Sequence, residues 1–142
     1  MMDSRHFYVF TGFQIVAVCG LFWFLATWTG QWNTHRYVGT VLAVVGVGFL
    51  AVARYQLGRS FSVKAEAHKL VTTGLYSKIR NPIYVFGMVM ITGMILVLGR
   101  PEGWLVLIAA VVGQTIRARR EASVLEAAFG DQYREYRGRT WF

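Results

Sequence analysis

The chain has 142 residues, 55% of them hydrophobic, and yet a formal net charge of +8. That length suits about one domain, so a membrane module joined to a separate soluble catalytic domain is not expected, and any chemistry has to be built inside the apolar module. A bilayer accounts for apolar runs with basic ends. Nucleic acid is the other partner that a basic chain suggests, but it is not expected, because the basic residues flank the apolar runs. The single Cys19 lies inside an apolar run and excludes an intrachain disulfide or a cysteine-based metal cluster.

The first apolar stretch runs from Phe7 to Trp28, against the roughly 17 to 25 residues that a helix needs to span hydrocarbon. Its core is too long for a signal peptide and no Ala-x-Ala-like site follows, so it is expected to persist in the mature protein. The second stretch, Tyr37 to Ala53, places Gly39, Ala43 and Gly46 at helical spacing, a strip on which another helix can approach closely. Gly46-Val47-Gly48 lacks the strand, the further glycine and the acidic residue of a dinucleotide fold, and reads as helix packing. The third and fourth stretches are Ile83 to Gly99 and Gly103 to Ile116, joined by Gly99-Arg100-Pro101-Glu102-Gly103 as a tight helical hairpin. The fourth is short and spans only if it continues as a helix beyond Ile116, where Gln114 and Thr115 interrupt it mildly. From Arg117 to Phe129 the pattern predicts an amphipathic helix with Leu125, Ala128 and Phe129 on its apolar stripe and Gly130 as its stop. Tyr133 and Tyr136 follow on a short turn.

Lysine and arginine near span ends favour the cytoplasm. In a four-span arrangement all of the 15 basic residues except Arg36 and Arg100 fall on one side, and Trp28, Trp32 and Trp104 lie on the other as interfacial anchors. The expected fold is therefore an all-α polytopic membrane protein, a single domain over 1–142 integral to the cell membrane. It has about four transmembrane helices (7–28, 37–53, 83–99, 103–116), both termini cytoplasmic and a C-terminal cytoplasmic amphipathic helix. That topology brings residues 68–84 beside residues 117–136.

The segment from Leu70 to Tyr84 is basic, punctuated by Gly74 and Pro82, and runs directly into apolar sequence. Backbone groups freed at Gly74 and Pro82 suit a nucleoside edge, with Tyr76 and Tyr84 as aromatic walls, while Pro82 also suits a first helical turn. Arg117 and Glu121 share a helix face at i and i+4, which by itself is compatible with a surface ion pair worth a few tenths of a kcal/mol. At membrane depth ionisable groups tend to be functional. A carboxylate suits the ammonium of an amino-acid moiety, and an arginine suits its carboxylate. His6, His35 and His68 are scattered over both sides, so no metal site is expected.

These residues carry a resemblance. Leu70-Val71, Gly74, Tyr76, Arg80-Asn81-Pro82 and Tyr84 are similar to the Leu-Val-x-x-Gly-x-Tyr-x-x-x-Arg-His-Pro-x-Tyr signature of the isoprenylcysteine carboxyl methyltransferase family and its phospholipid methyltransferase relatives. Leu57 to Ser62 and His68 resemble the block before it, and Glu121, Leu125, Phe129-Gly130, Tyr133 and Tyr136 resemble the family's closing block. The likeness covers about Leu57 to Tyr136, while the first two spans match only in hydrophobicity.

The resemblance implies a membrane enzyme that holds S-adenosylmethionine in a pocket made by both blocks and methylates a hydrophobic small molecule or lipid entering from the bilayer. It implies cofactor-binding roles for His68, Val71, Gly74, Tyr76, Arg80, Asn81, Pro82, Tyr84 and Glu121, and catalytic roles for Arg117 and Glu121. Three departures stand out: Asn81 replaces the usual histidine and removes a titratable ring, Ala122 replaces a frequent second glutamate, and the sequence stops at Phe142, implying a shorter lid. The acceptor is not legible, a carboxylate, an amine and a thiol all remaining open, nor is the oligomeric state. The alternatives are a noncatalytic membrane protein that binds lipid or packs partner helices, and a sterol-reductase-like enzyme using NADPH.

Overall fold

The computed structural model describes residues 4–58 and 70–141. The described residues form helices and turns, with an isolated parallel bridge between Ile79 and Trp141. The chain divides into two compact units, residues 1–32 and 33–142. The first holds α1 (Ser4–Ala26), whose last turn is continued by the Thr27 N–H and hydroxyl, both donated to the Trp23 carbonyl at 2.9 and 2.8 Å. The Phe24 ring in its last turn packs on Trp28, with ring centroids 5.0 Å apart.

The second unit holds α2 (Thr34–Leu57), a 3-10 turn (Gly74–Ser77), α3 (Pro82–Leu98), α4 (Gly103–Phe129) and α5 (Asp131–Arg139). Helix α2 is longer at both ends than the apolar stretch that announces it. Asn33 caps its start by accepting the Arg36 N–H at 3.1 Å, and Gly58 at φ 51 ends it. Capping side chains and glycine stops are set by backbone hydrogen bonding, which hydropathy does not register. Helix α3 follows expectation, with Pro82 in its first turn and Gly99 left-handed at φ 62 after its last residue.

The most extensive contact joins α2 and α3, which run antiparallel along the small-residue strip. A Cβ on Gly39 would stand 2.7 Å from the Gly93 carbonyl oxygen, and one on Gly46 would stand 2.6 Å from the Met90 nitrogen. A Cβ on Gly93 would overlap the Ala43 backbone, and Ala43 itself is fully buried. Small residues thus bring the two backbones together so that dispersion contacts replace side-chain volume. Farther along, Phe49 and Phe86 stack at 4.7 Å with 15° between their planes.

Helix α3 turns back on α4, again antiparallel, and Gly103 sits close against Ile95. The apolar stretch 103–116 and the amphipathic stretch 117–129 are one unbroken helix of 27 residues, about 40 Å long at the usual rise. Gly130 then reverses the chain at φ 51. The short aromatic turn expected after it is instead the nine-residue helix α5, with Asp131 in its first turn and Arg137 and Arg139 in its last, in accord with its dipole.

Among the described residues, α2 is the helix long and apolar enough to cross a membrane, and α3 is apolar over 17 residues. Only 28% of the most apolar window of α2 is buried within the fold, whereas the core helix of a soluble protein would be mostly buried.

Filling the strip should separate α2 from α3. Gly93→Leu is expected to lower the thermal unfolding midpoint in detergent, at a cost of at least the roughly 1–3 kcal/mol of ordinary overpacking. Gly48→Ala, whose Cβ meets nothing within 4 Å, should leave the midpoint unchanged; equal losses in both variants would contradict the packing described.

Candidate active site

Helix α3 begins where the amphipathic half of α4 passes it, and the two are tied by one carboxylate oxygen. The Tyr84 hydroxyl donates to Glu121 Oε1 at 2.6 Å, and Arg117 Nε donates to the same oxygen at 2.9 Å. The Arg117 guanidinium carbon lies 6.0 Å from the centre of the Tyr84 ring, at the outer limit of a cation–π contact. The pair is only partly exposed, with side-chain accessibility of 38% for Arg117 and 25% for Glu121. Burial works against the Arg117 charge, but the hydrogen bond to Glu121 and the charges around it hold the guanidinium above its ordinary pKa.

The second wall is the 3-10 turn. Gly74 has φ 62, and a Cβ there would overlap the Gln56 amide, whose Oε1 accepts the Leu75 N–H at 2.7 Å. Glycine is therefore required twice, for backbone conformation and for clearance. The turn buries Tyr76, whose carbonyl accepts the Tyr136 hydroxyl at 2.8 Å. Burial first, then the nearby Tyr136 and Glu121, push the Tyr76 phenol well above its ordinary value. Tyr133 is 1% exposed and its ring lies 6.3 Å from that of Tyr136. Beyond α5, the Trp141 N–H donates to the Lys78 carbonyl and the Arg80 N–H donates to the Trp141 carbonyl, each at 3.1 Å. Arg80 lies close enough to Tyr133 and Tyr136 for its charge to favour their ionised forms, and its Nε is buried without a hydrogen-bond partner among the described residues.

Tyr76, Arg80, Tyr84, Arg117 and Glu121 are thus gathered with Tyr133 and Tyr136 at one end of the α3–α4 hairpin. Val71 lies half-buried before the 3-10 turn. Pro82 is fully buried in the first turn of α3, and the Asn81 carbonyl accepts the Tyr84 and Val85 N–H groups while its side chain makes no capping bond. His68 falls outside the described residues. The sequence reading missed Gln56 and Trp141. Trp141 carries no spacing signal, and Gln56 could be found only by knowing that Gly74 folds against the end of α2.

Burial, and next the neighbouring Tyr133, raise the Tyr136 phenol from 10.0 to about 12, with Arg80 opposing. A group held protonated by the fold contributes stability that is complete below its unfolded pKa and is lost as pH rises through the folded one. Stability should therefore decline between pH 10 and about 12. In Tyr136→Phe that slope should flatten while the unfolding free energy at neutral pH falls by about 1 kcal/mol, the usual net worth of one hydrogen bond. Tyrosinate absorbance followed together with helical circular dichroism measures both, and an unchanged alkaline slope in Tyr136→Phe would contradict the assignment.

No solved structure matches the chain. The chain is 30% identical over 116 residues to the Protein-S-isoprenylcysteine O-methyltransferase of Schizosaccharomyces pombe, a match covering 72% of this chain and 49% of that protein, so the chain spans about half the length of this curated relative. Residues 34–132, from the start of α2 into α5, match the phospholipid methyltransferase family. The α2–α3 pair, the 3-10 turn and the Tyr84–Glu121–Arg117 tie all fall within that span, and the chain belongs to the phospholipid methyltransferase family.

Proposed function

We propose that this chain is an integral membrane methyltransferase that transfers a methyl group from S-adenosylmethionine to a hydrophobic or lipid-like acceptor, a carboxylate or an amine, at the cytoplasmic face. The observation that carries this reading is the Glu121 carboxylate, tied through one oxygen to both Arg117 and Tyr84 at the edge of an apolar hairpin. Family membership and the name of the yeast relative support a lipid-modified acceptor. The four-span topology with both termini cytoplasmic belongs to the same proposal, supported by α2, by the apolar α3 and by the clustering of basic residues.

The chain's own residues fit the amino-acid end of the cofactor. Arg80 offers a buried guanidinium N–H in want of an acceptor, which suits a carboxylate. The Glu121 carboxylate suits an ammonium group, and Tyr76 and Tyr84 provide aromatic surface beside it. When bound, the cofactor supplies an electrophilic methyl sulfonium. Arg117, held against Glu121 through Nε, carries the planar cation that suits an anionic acceptor. For an amine acceptor Glu121 would take up the proton. Most of the rate would come from aligning the reacting atoms and excluding water.

Purified protein in nanodiscs should bind S-adenosylhomocysteine saturably and transfer radiolabelled methyl groups to extracted lipids. Saturable binding of NADPH in its place would overturn the reading in favour of a reductase, and binding of neither would leave a noncatalytic membrane protein. Arg117→Ala and Glu121→Ala should each lower turnover on the order of a hundredfold or more, with helical content and insertion unchanged; wild-type turnover in either would reduce the pair to a structural role.

The topology has its own test. Single cysteines replacing Ser77 and Gly130 should both be labelled from the cytoplasmic side by a membrane-impermeant reagent. Labelling from opposite sides would separate the two walls of the site.

A further inference from the structure

The polar face of α4 does not end at Arg117. Gln114 lies three residues farther into the apolar half of the helix, about 4.5 Å along the axis, and at i, i+3 and i+7 the side chains of Gln114, Arg117 and Glu121 fall on one face. Their register against α3 is set at two levels: Tyr84 meets Glu121, and Gly87, one turn on, faces Gln114, where a Cβ would stand 3.8 Å from Gln114 Nε2. The seam of the hairpin therefore carries a polar track of carboxylate, guanidinium and amide, running from the hydrocarbon edge inward.

Two polar side chains interrupt the apolar run of α4, and they are treated differently. The Thr115 hydroxyl donates to the Val111 carbonyl of its own helix at 2.7 Å and needs nothing else. Gln114 Oε1 is buried with no donor among the described residues. In hydrocarbon a carbonyl without a hydrogen bond is costly, and methionine or leucine would fill the same volume without that cost. Gly87 on α3 contributes no side chain there, and a Cβ on it would already be in van der Waals contact with Gln114 Nε2.

We infer that Gln114 is a specificity-determining residue, whose Oε1 accepts a hydrogen bond from an N–H or O–H group of the methyl acceptor, one helical turn deeper than the group oriented by Arg117. The inference rests on the methyltransferase reading and narrows its substrate class. The acceptor is an amphiphile with a hydrogen-bond donor, an amide N–H or a hydroxyl, placed between its methyl-accepting group and its lipid chain. A plain acyl chain, or a tertiary amide at that position, leaves the Gln114 oxygen unpaired and is discriminated against.

The probes are N-palmitoylglycine, whose amide N–H lies between carboxylate and chain, and N-palmitoylsarcosine, in which that hydrogen is replaced by a methyl group. Saturable binding is measured in nanodiscs with S-adenosylhomocysteine present. Wild-type protein should prefer the glycine probe by about tenfold, the scale of one buried hydrogen bond. Gln114→Met should bind both probes alike, and Gln114→Asn, which keeps the carbonyl on a shorter arm, should retain part of the preference. Binding of S-adenosylhomocysteine itself should be unchanged in both variants, which shows that they fold. No preference in the wild type, or the wild-type preference persisting in Gln114→Met, overturns the inference. Loss of S-adenosylhomocysteine binding in the wild type instead overturns the methyltransferase reading on which it rests.

Discussion

A carboxylate at the edge of an apolar helix pair has to be compensated by donors, since desolvating a lone charge costs several kcal/mol. Glu121 finds two on the same oxygen, one from its own helix through Arg117 and one from α3 through Tyr84. The tyrosine bond joins α3 to α4 near the start of α3 at Pro82, and the arginine bond holds the guanidinium beside the Tyr84 ring. Everything placed around the site depends on that tie. The 3-10 turn leads straight into Pro82, so fixing the start of α3 fixes where Tyr76 and Arg80 lie.

The rest of the second unit supports this arrangement by two different kinds of contact. On one side, glycine and alanine let the α2 and α3 backbones approach until side chains have no room between them, which gives α3 a rigid back. On the other side the contact is polar and aromatic. Tyr136 donates to the Tyr76 carbonyl, and Trp141 is bonded at both its N–H and its carbonyl to the Lys78–Arg80 backbone. The first contact places the site along the hairpin. The second closes over the turn with the chain's own C-terminal helix, and among the described residues Arg80 Nε is buried there without a hydrogen-bond partner.

Much of the second unit is legible from residue patterns because the physics involved is local. Helical periodicity, the Gly99 and Gly130 stops and Pro82 at a first turn are consequences of backbone geometry within a few residues. The i, i+4 spacing of Arg117 and Glu121 is likewise local, and so is the continuation of the fourth apolar stretch into the amphipathic one. Less legible are capping that extends a helix past its apolar core, as at Asn33 and Gly58 in α2, and a polar segment that folds against others, as in α5. Arg54, counted from the sequence as a flanking charge, is buried at 8% exposure. Nothing near it in the chain announces that, because its burial depends on what packs over the end of α2.

By itself, then, the sequence determined the helical elements, their stops, the small-residue strip and the spacing of the residues resembling a methyltransferase site. Each is dictated within one or two turns of chain. Only the tertiary structure decided that Tyr84 and Arg117 share a single Glu121 oxygen, that Gln56 reads Gly74 across 18 residues of separation from the end of α2 to the 3-10 turn, and that Gln114 faces Gly87. Those pairings join residues far apart in the chain, and their partners are selected by the register at which α2, α3 and α4 pack, a property of backbone approach that no single segment contains.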